Sequence, residues 1–213
     1  MVCIRLCIKR RGDIESMSIV VAIKYDNGIA IASDREVTHG IYKYSNSVAK
    51  IHQYPYSKVV IGTVGRLRPL QILFTEDEII DYKDILDNKE IDKKYCIRTI
   101  VPKLFKIMKE NEIIEKREEE YLFLNTFILA TSKTAFIIDR DGTVNSTIDQ
   151  KHYLTIGCGE DFVKGYLDTI DFNKDKINKT MAGQIIKNAI EKSCKNVNYI
   201  DDNIDIIFLE KNS

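Results

Sequence analysis

The architecture of this chain is encoded between Ser18 and Gly65, which read SIVVAIKYDNGIAIASDREVTHGIYKYSNSVAKIHQYPYSKVVIGTVG. Ser18–Tyr25 is an apolar run rich in β-branched residues, and Ile29–Ser33 is a second one. Between them, Asp26-Asn27-Gly28 is a strong turn signal. Two apolar runs joined by such a turn predict a β-hairpin.

The remaining sequence alternates between strand-like and helix-like segments. Strands are predicted within Ile41–His52 and at Lys58–Val64, Leu122–Thr131, Thr134–Asp139, Tyr153–Gly157 and Ile204–Leu209. Helices are predicted at Arg66–Phe74, Tyr95–Glu118, Asp161–Leu167 and Asn178–Cys194, the second with Ile97, Val101, Leu104 and Met108 at helical spacing. This order of elements predicts an α+β fold, a four-layer αββα sandwich in which two packed sheets carry helices outside.

Length and composition favour one domain over residues 18–213 of the 213-residue chain. Residues 1–17 match no later element, and we interpret them as a pro-segment or as a misassigned extension ahead of a start at Met17. Lys plus Arg equals Asp plus Glu at 32 each, so the charge favours neither nucleic acid nor an anionic membrane as partner. Five scattered cysteines and the lack of a long apolar run favour a reducing, cytoplasmic location.

Three residues of the first segment could form a catalytic group together, although none of them indicates catalysis alone. Alone, Ser18 is an ordinary strand-start residue, Asp34 a strand-end cap and Lys50 a surface lysine. A serine hydroxyl is a poor nucleophile until a base takes its proton, and a free α-amine, with a pKa of about 7.7–8.0, suits that task near neutral pH. Such a mechanism requires Ser18 to be the first residue of the mature chain.

The segment resembles proteasome β-type subunits and the related bacterial HslV peptidase, which are N-terminal-nucleophile hydrolases. The resemblance rests on a leading hydroxyl residue, the hairpin, the block Ala32-Ser33-Asp34-Arg35-Glu36-Val37-Thr38, a lysine before a strand, and the Gly62-x-x-Gly65 turn. It implies that Ser18 is the nucleophile and that Asp34 and Lys50 are its charged partners. It also implies that the Gly62 N–H is the oxyanion donor, and it implies no metal or cofactor.

By the same resemblance, a set of residues lines the substrate pocket. Most of these residues are branched aliphatic, which implies a pocket that prefers a modest apolar side chain of the substrate. An arginine that points into the pocket would add tolerance for an acidic substrate side chain. These residues are Val37, Val48, His52, Val60, Val64 and Arg68.

The second half of the chain departs from the family pattern. Cys158 stands where the family has the serine that binds the terminal amine, and a thiol is a weak hydrogen-bonding group. Val197 and Ile200 stand where an Asp-x-x-Ser pair is usual, and the candidates to replace that pair are Asn196, Asn198 and Asp201.

Two further readings therefore stay open beside a peptidase that cleaves unfolded polypeptide: a non-catalytic structural subunit, and an amide-transferring, ligase-type relative. The resemblance implies a homo-oligomeric ring and leaves an ATPase unfoldase open as a partner. Because Ser lacks the β-methyl group of Thr, which restricts χ1, turnover slower than that of a threonine enzyme is expected.

Overall fold

The structure is a computed structural model that describes residues 18–39, 42–44, 48–54, 57–75, 79, 91–173, 176–197 and 200–211. The predicted pro-segment at 1–17 and the candidate Asn198 lie outside the described residues. No helix in these ranges is both long enough and apolar enough to cross a membrane.

Strands dominate the described part of the chain. They are β1 Ile19–Tyr25, β2 Gly28–Asp34, β3 Val37–His39, β4 Tyr42–Tyr44, β5 Ile51–Gln53, β6 Val59–Gly65, β7 Ile114–Arg117, β8 Glu120–Phe123, β9 Asn125–Thr131, β10 Ala135–Ile138, β11 Val144–Thr147, β12 Tyr153–Gly157 and β13 Ile204–Glu210. The helices are α1 Leu67–Thr75, α2 Lys93–Tyr95, α3 Val101–Glu110, α4 Ile148–Lys151, α5 Glu160–Leu167 and α6 Lys179–Cys194, with a π-helical turn at Cys96–Ile100 joining α2 to α3.

Two antiparallel sheets form the centre of the molecule. The first has the order β12-β1-β2-β13 and the second the order β11-β10-β9-β6-β5. The ribbons β3–β4 and β7–β8 stand apart from them. The predicted hairpin is confirmed as β1–β2, in which Tyr25 pairs with Gly28 around a two-residue loop.

Three apolar layers hold the sheets and helices together. Val20, Ile31 and Ile128 belong to the cluster between the two sheets. The outer face of the second sheet packs on α1 and α3, and the outer face of the first sheet packs on α5 and α6. The predicted αββα sandwich is therefore confirmed, with the site-bearing strands β1, β2 and β6 in its interior.

The helix predicted over Tyr95–Glu118 is wrong at its end, because α3 stops at Glu110. The chain reverses at Glu112, which has φ +55°, and continues as strand β7. Beyond Met108 the apolar residues no longer follow a helical period. Ile97 is also 48% exposed, because it lies in the π-helical turn rather than on the buried helical face.

The strand pair predicted through Ile41–His52 is split between two partners. β4 pairs with β3 in a small ribbon, whereas β5 pairs with β6 at the edge of the second sheet. The strand predicted at Leu122–Thr131 is divided at Leu124 into the end of β8 and the whole of β9. The other predicted strands and helices lie where expected within one or two residues. The strands β3 and β11 and the single turn α4 were not predicted.

Candidate active site

Asp34 and Lys50 form an ion pair in the interior of the protein. Lys50 Nζ donates to Asp34 Oδ2 at 2.8 Å, and both side chains are almost wholly excluded from solvent. Asp34 is the last residue of β2, and Lys50 immediately precedes β5. An unpaired charge is destabilising in the protein interior, so each side chain can be buried only because the other neutralises its charge.

The second oxygen of the same carboxylate reaches the start of the domain. Asp34 Oδ1 accepts the N–H of Ile19 at 3.0 Å, one residue after Ser18. One carboxylate therefore links the Lys50 ammonium to the backbone beside the predicted nucleophile. The sequence-predicted residues Ser18, Asp34 and Lys50, separated by sixteen residues each, meet in one place.

Charge in this site is set by opposing effects. Burial raises the pKa of Asp34, while the Lys50 ammonium and the N–H groups of Ile19 and Glu36 act to lower it. Among the described residues, the carboxylate accepts three hydrogen bonds, from the Ile19 amide, the Glu36 amide and Lys50. These hydrogen bonds favour the charged form of Asp34, which pairs with the Lys50 ammonium.

The end of β12 lies against Ser18. Cys158 N donates to the carbonyl oxygen of Ser18 at 3.0 Å, and the Cys158 thiol lies 3.7 Å from the same oxygen. Gly157 has φ +115°, and a Cβ there would stand 2.0 Å from that oxygen. A glycine is thus required for β12 to approach the backbone of Ser18.

Gly62 lies in the middle of β6, facing the first sheet. A Cβ added there would meet Val20 at 2.6 Å, which is a packing reason for glycine. Val59 O accepts from Tyr54 N and Thr63 N donates to Lys50 O, so the odd-numbered residues of β6 bond toward β5. By antiparallel alternation the Gly62 N–H faces β9 and its partner Ile128. The register of β6 does not support the oxyanion role predicted for Gly62.

The predicted substrate-pocket residues do not share one surface. Val37 is buried and Val48 is half-buried. His52 stacks on Phe74 of α1, with ring centroids 4.8 Å apart. Val60 belongs to the core between the sheets and is fully buried, so the prediction that it lines a pocket is not supported.

The remaining two pocket predictions have opposite outcomes. Arg68 is exposed on α1 and donates to the carbonyl oxygen of Asn111 at 3.2 Å, so it does not point inward. Val64 lines a cavity of about 510 Å³ that opens between the two sheets. Gly157 lines the same cavity and packs against the Ser18 carbonyl oxygen. The cavity therefore extends to the neighbourhood of Ser18.

The C-terminal positions that depart from the family pattern have structural roles. Val197 and Ile200 pack into the apolar cluster under α5 and α6. Asn196 donates to the Lys192 carbonyl on the surface. Asp201 is buried, and its Oδ1 accepts the N–H of Arg35, next to Asp34. Of the proposed replacements in the described range, Asp201 is the one beside the site.

Glu36 is a site residue that the sequence reasoning missed. Its N–H donates to Asp34 Oδ2 at 3.2 Å, its side chain is 5% exposed, and Lys43 Nζ lies 3.9 Å from its Oε1. Burial raises the pKa of Glu36, Lys43 opposes the rise, and Asp201 and Asp34 add to it. The sequence feature that could have indicated Glu36 is the Asp-x-Glu spacing, which places two carboxylates close together where a strand ends.

Comparisons with known proteins agree with this architecture. Eukaryotic HslV from Trypanosoma brucei has 18% identity and a TM-score of 0.65, over 91% of this chain and 99% of its own. The Gly-1 mutant of Anbu from Hyphomicrobium sp. strain MC1 has 15% identity and a TM-score of 0.66, over 91% of this chain and 82% of its own. At such identities the likeness shows the fold alone.

A search of curated proteins finds no match. The model of the proteasome subunit family, in contrast, matches residues 15–209, which is most of the sequence. The chain therefore belongs to the proteasome subunit family.

Proposed function

We propose that this protein is an N-terminal-nucleophile peptidase that cleaves polypeptide through an acyl-enzyme on Ser18. The observation that carries the proposal is the Asp34 carboxylate, which binds Lys50 through one oxygen and the Ile19 amide through the other. A buried lysine held beside the backbone of a serine supplies the positive charge that lowers the pKa of a hydroxyl.

In this mechanism Ser18 is the first residue of the working chain, and its α-amine is the general base. The Ser18 Oγ attacks the substrate carbonyl carbon while the amine takes the hydroxyl proton. The C–N bond breaks, that proton passes to the leaving nitrogen, and an ester remains on Ser18. Water then attacks the ester with the amine again as base, which releases the carboxyl product and returns the proton to Oγ.

A non-catalytic subunit is the second candidate, and Cys158 is the observation that favours it. A thiol binds an amine less well than the hydroxyl it replaces, which weakens the hold on the base. Transfer of the acyl group to an amine instead of water is a variant of the first proposal, because both pass through the same ester. Retention of the buried Asp34–Lys50 pair favours catalysis over a purely structural role.

The experiment is cleavage of an unstructured, fluorescently labelled polypeptide by protein whose mature N-terminus has been established. We expect cleavage by wild type and none by Ser18→Ala. Thr169→Ala is the matched control, since it deletes an exposed hydroxyl that bonds only the Tyr166 carbonyl among the described residues. Equal cleavage by wild type and Ser18→Ala would refute the proposal. Adding hydroxylamine and finding a hydroxamate product would report the ester that hydrolysis and transfer share.

We infer a homo-oligomeric ring in the cytoplasm from membership of the proteasome subunit family, with an ATPase unfoldase as a candidate partner. Light scattering during size-exclusion chromatography tests the ring. A monomer at micromolar concentration would contradict it.

A further inference from the structure

A groove of about 550 Å³ opens between helix α3 and the ribbon β7–β8, in the layer outside the second sheet. Its lining is mostly apolar, and the charged side chains among the described residues that line it are lysines. The lining residues are Pro102, Phe105, Lys106, Lys109, Ile114 and Tyr121. Phe105 stacks on the core residue Phe123 with ring centroids 4.0 Å apart, so the floor of the groove is continuous with the apolar core.

Two ammonium groups at the rim of this groove face one aromatic ring. Lys109 Nζ lies 5.1 Å from the centroid of the Tyr121 ring, and Lys116 Nζ lies 5.8 Å from it. Both lysines are exposed, and neither makes an ion pair within the described ranges. A contact with a ring leaves the charge of an ammonium in place. The lysine-rimmed groove therefore combines an apolar floor with positive charge that carboxylates do not balance.

The carboxylates that lie near the groove are held by other cations. Glu110 pairs with Lys106 at 3.9 Å along α3. Glu115 pairs with Arg117 and Arg140, each at 2.7 Å. An occupant that combines an apolar side chain with a carboxylate would therefore complement the groove in both respects.

The first turn of α5 presents these two groups side by side. Phe162 is 44% exposed. Asp161 is also exposed and makes no ion pair in the part of the chain that the structure describes. Glu160 adds a second carboxylate, which pairs with Lys164 at 3.3 Å. A single exposed phenylalanine is ordinary on a protein surface, but this one adjoins an unpaired negative charge. We call Asp161 and Phe162 the acidic knob.

The knob and the groove belong to opposite helical layers of the sandwich. The groove lies with α3 outside the second sheet, and the knob lies with α5 outside the first sheet. The two packed sheets separate them, so the knob of one copy cannot enter its own groove. A contact between these two surfaces is therefore a contact between copies of the chain.

We propose that the acidic knob of one copy docks in the lysine-rimmed groove of a second copy. Phe162 fills the apolar groove, while Asp161 pairs with Lys109 and Lys116 at its rim. A contact between two different patches is heterologous, and it closes into a ring when the rotation between neighbours permits. This inference rests on the homo-oligomer proposed above and names the surfaces that join its subunits.

A pair of substitutions at equally exposed apolar residues tests the knob. Phe162→Ser removes the aromatic anchor, whereas Met181→Ser changes a side chain of α6 that is 42% exposed. Assembly of the full chain is measured by sedimentation velocity across the micromolar range, and melting curves establish that both variants fold. We expect Phe162→Ser to weaken association about ten- to a hundredfold, since buried aromatic anchors dominate interfaces, and Met181→Ser to leave association unchanged.

A charge exchange tests whether the knob and the groove meet. Asp161→Lys and Lys109→Glu should each weaken association about three- to tenfold, because each places like charges together. The variant that carries both substitutions should associate more tightly than either single variant. Lys187→Glu is the control, since Lys187 pairs with Glu191 on the surface of α6. We expect it to associate as wild type does.

The outcomes separate this inference from the proposed function. All assembly measurements use chains that also carry Ser18→Ala, so they do not depend on cleavage, and cleavage by wild type decides the peptidase separately. An oligomer that Phe162→Ser leaves intact overturns the inference and keeps the ring. A double variant no tighter than the single variants also overturns the inference. A monomer formed by the Ser18→Ala parent overturns both the ring and the inference.

Discussion

Lys50 and Asp34 are joined at 2.8 Å in the interior, with side-chain exposures of 2% and 0%. The pair stands at the centre of both the fold and the proposed chemistry, because Asp34 also binds the residue after Ser18. Its removal should therefore affect stability and activity together.

Lys50→Met leaves the Asp34 carboxylate buried without its ammonium. We expect a loss of about 3–5 kcal/mol in the free energy of unfolding, measured by urea denaturation. Lys24→Met is the matched control, because Lys24 pairs with Asp149 at the surface and such pairs contribute less than about 1 kcal/mol. Adding Asp34→Asn to Lys50→Met should restore part of the lost stability. A Lys50→Met variant as stable as wild type would show that the pair is not buried.

The sequence predictions succeed where local interactions determine the secondary structure and fail where tertiary contacts determine it. The β1–β2 hairpin was predictable because its turn signal and its apolar runs are local. The end of α3 was not, since the sequence from Lys109 to Glu120 contains no Gly or Pro that would mark where the helix stops. Tertiary pairing of β7 with β8 decides that segment.

At the site, spacing along the chain predicted which residues lie close together better than which way they face. Ser18, Asp34 and Lys50 were found because a family pattern encodes their separation. Val60 and Gly62 lie in a strand that is apolar on both faces, so no alternation in the sequence tells the core side from the pocket side. Glu36 was missed because its burial comes from distant segments such as the one that carries Asp201.

Glu36 should make stability depend on pH. Its pKa is raised from the ordinary value of 4.5, chiefly by burial, with Lys43 and Lys50 opposing and Asp201 and Asp34 adding to the rise. The folded state thus binds the proton more tightly than the unfolded state. The free energy of unfolding should fall as pH rises from 4.5 through the raised pKa, because ionisation in the folded state is disfavoured. Glu36→Gln should remove this slope, as measured by urea titrations at several pH values.

Glu115 supplies a control of opposite sign. A hydrogen bond from Arg117 lowers the pKa of Glu115, with Arg140 adding to the effect. Its contribution to stability is present above the unfolded-state pKa and is lost as pH falls through the lowered one. Glu115→Gln should therefore weaken the decline of stability at acidic pH. The same pH profile for both variants would contradict the assignment of Glu36.

Gly157→Ala should disturb Ser18, the proposed nucleophile, through its backbone. The new Cβ would lie 2.0 Å from the Ser18 carbonyl oxygen, at a φ of +115° that L-residues rarely adopt. We expect a loss of about 1–3 kcal/mol in the free energy of unfolding and a fall in the acylation rate of Ser18.

Gly165→Ala is the control, because nothing lies within 4 Å of a Cβ at that position of α5. There we expect a gain of up to about 1 kcal/mol from helix propensity, with the acylation rate unchanged. Equal effects of the two substitutions would mean that β12 does not press on Ser18.

Catalysis by Ser18 as the first residue is tested most directly by intact-mass and peptide mass spectrometry after exposure to a peptide epoxyketone. Its ketone and epoxide react with the hydroxyl and the α-amine of one residue, so a stable adduct reports both groups together. We expect a mass increase equal to the whole probe, located on Ser18 as the first residue and absent from Lys50→Met. No adduct on protein whose N-terminus is confirmed as Ser18 would contradict it.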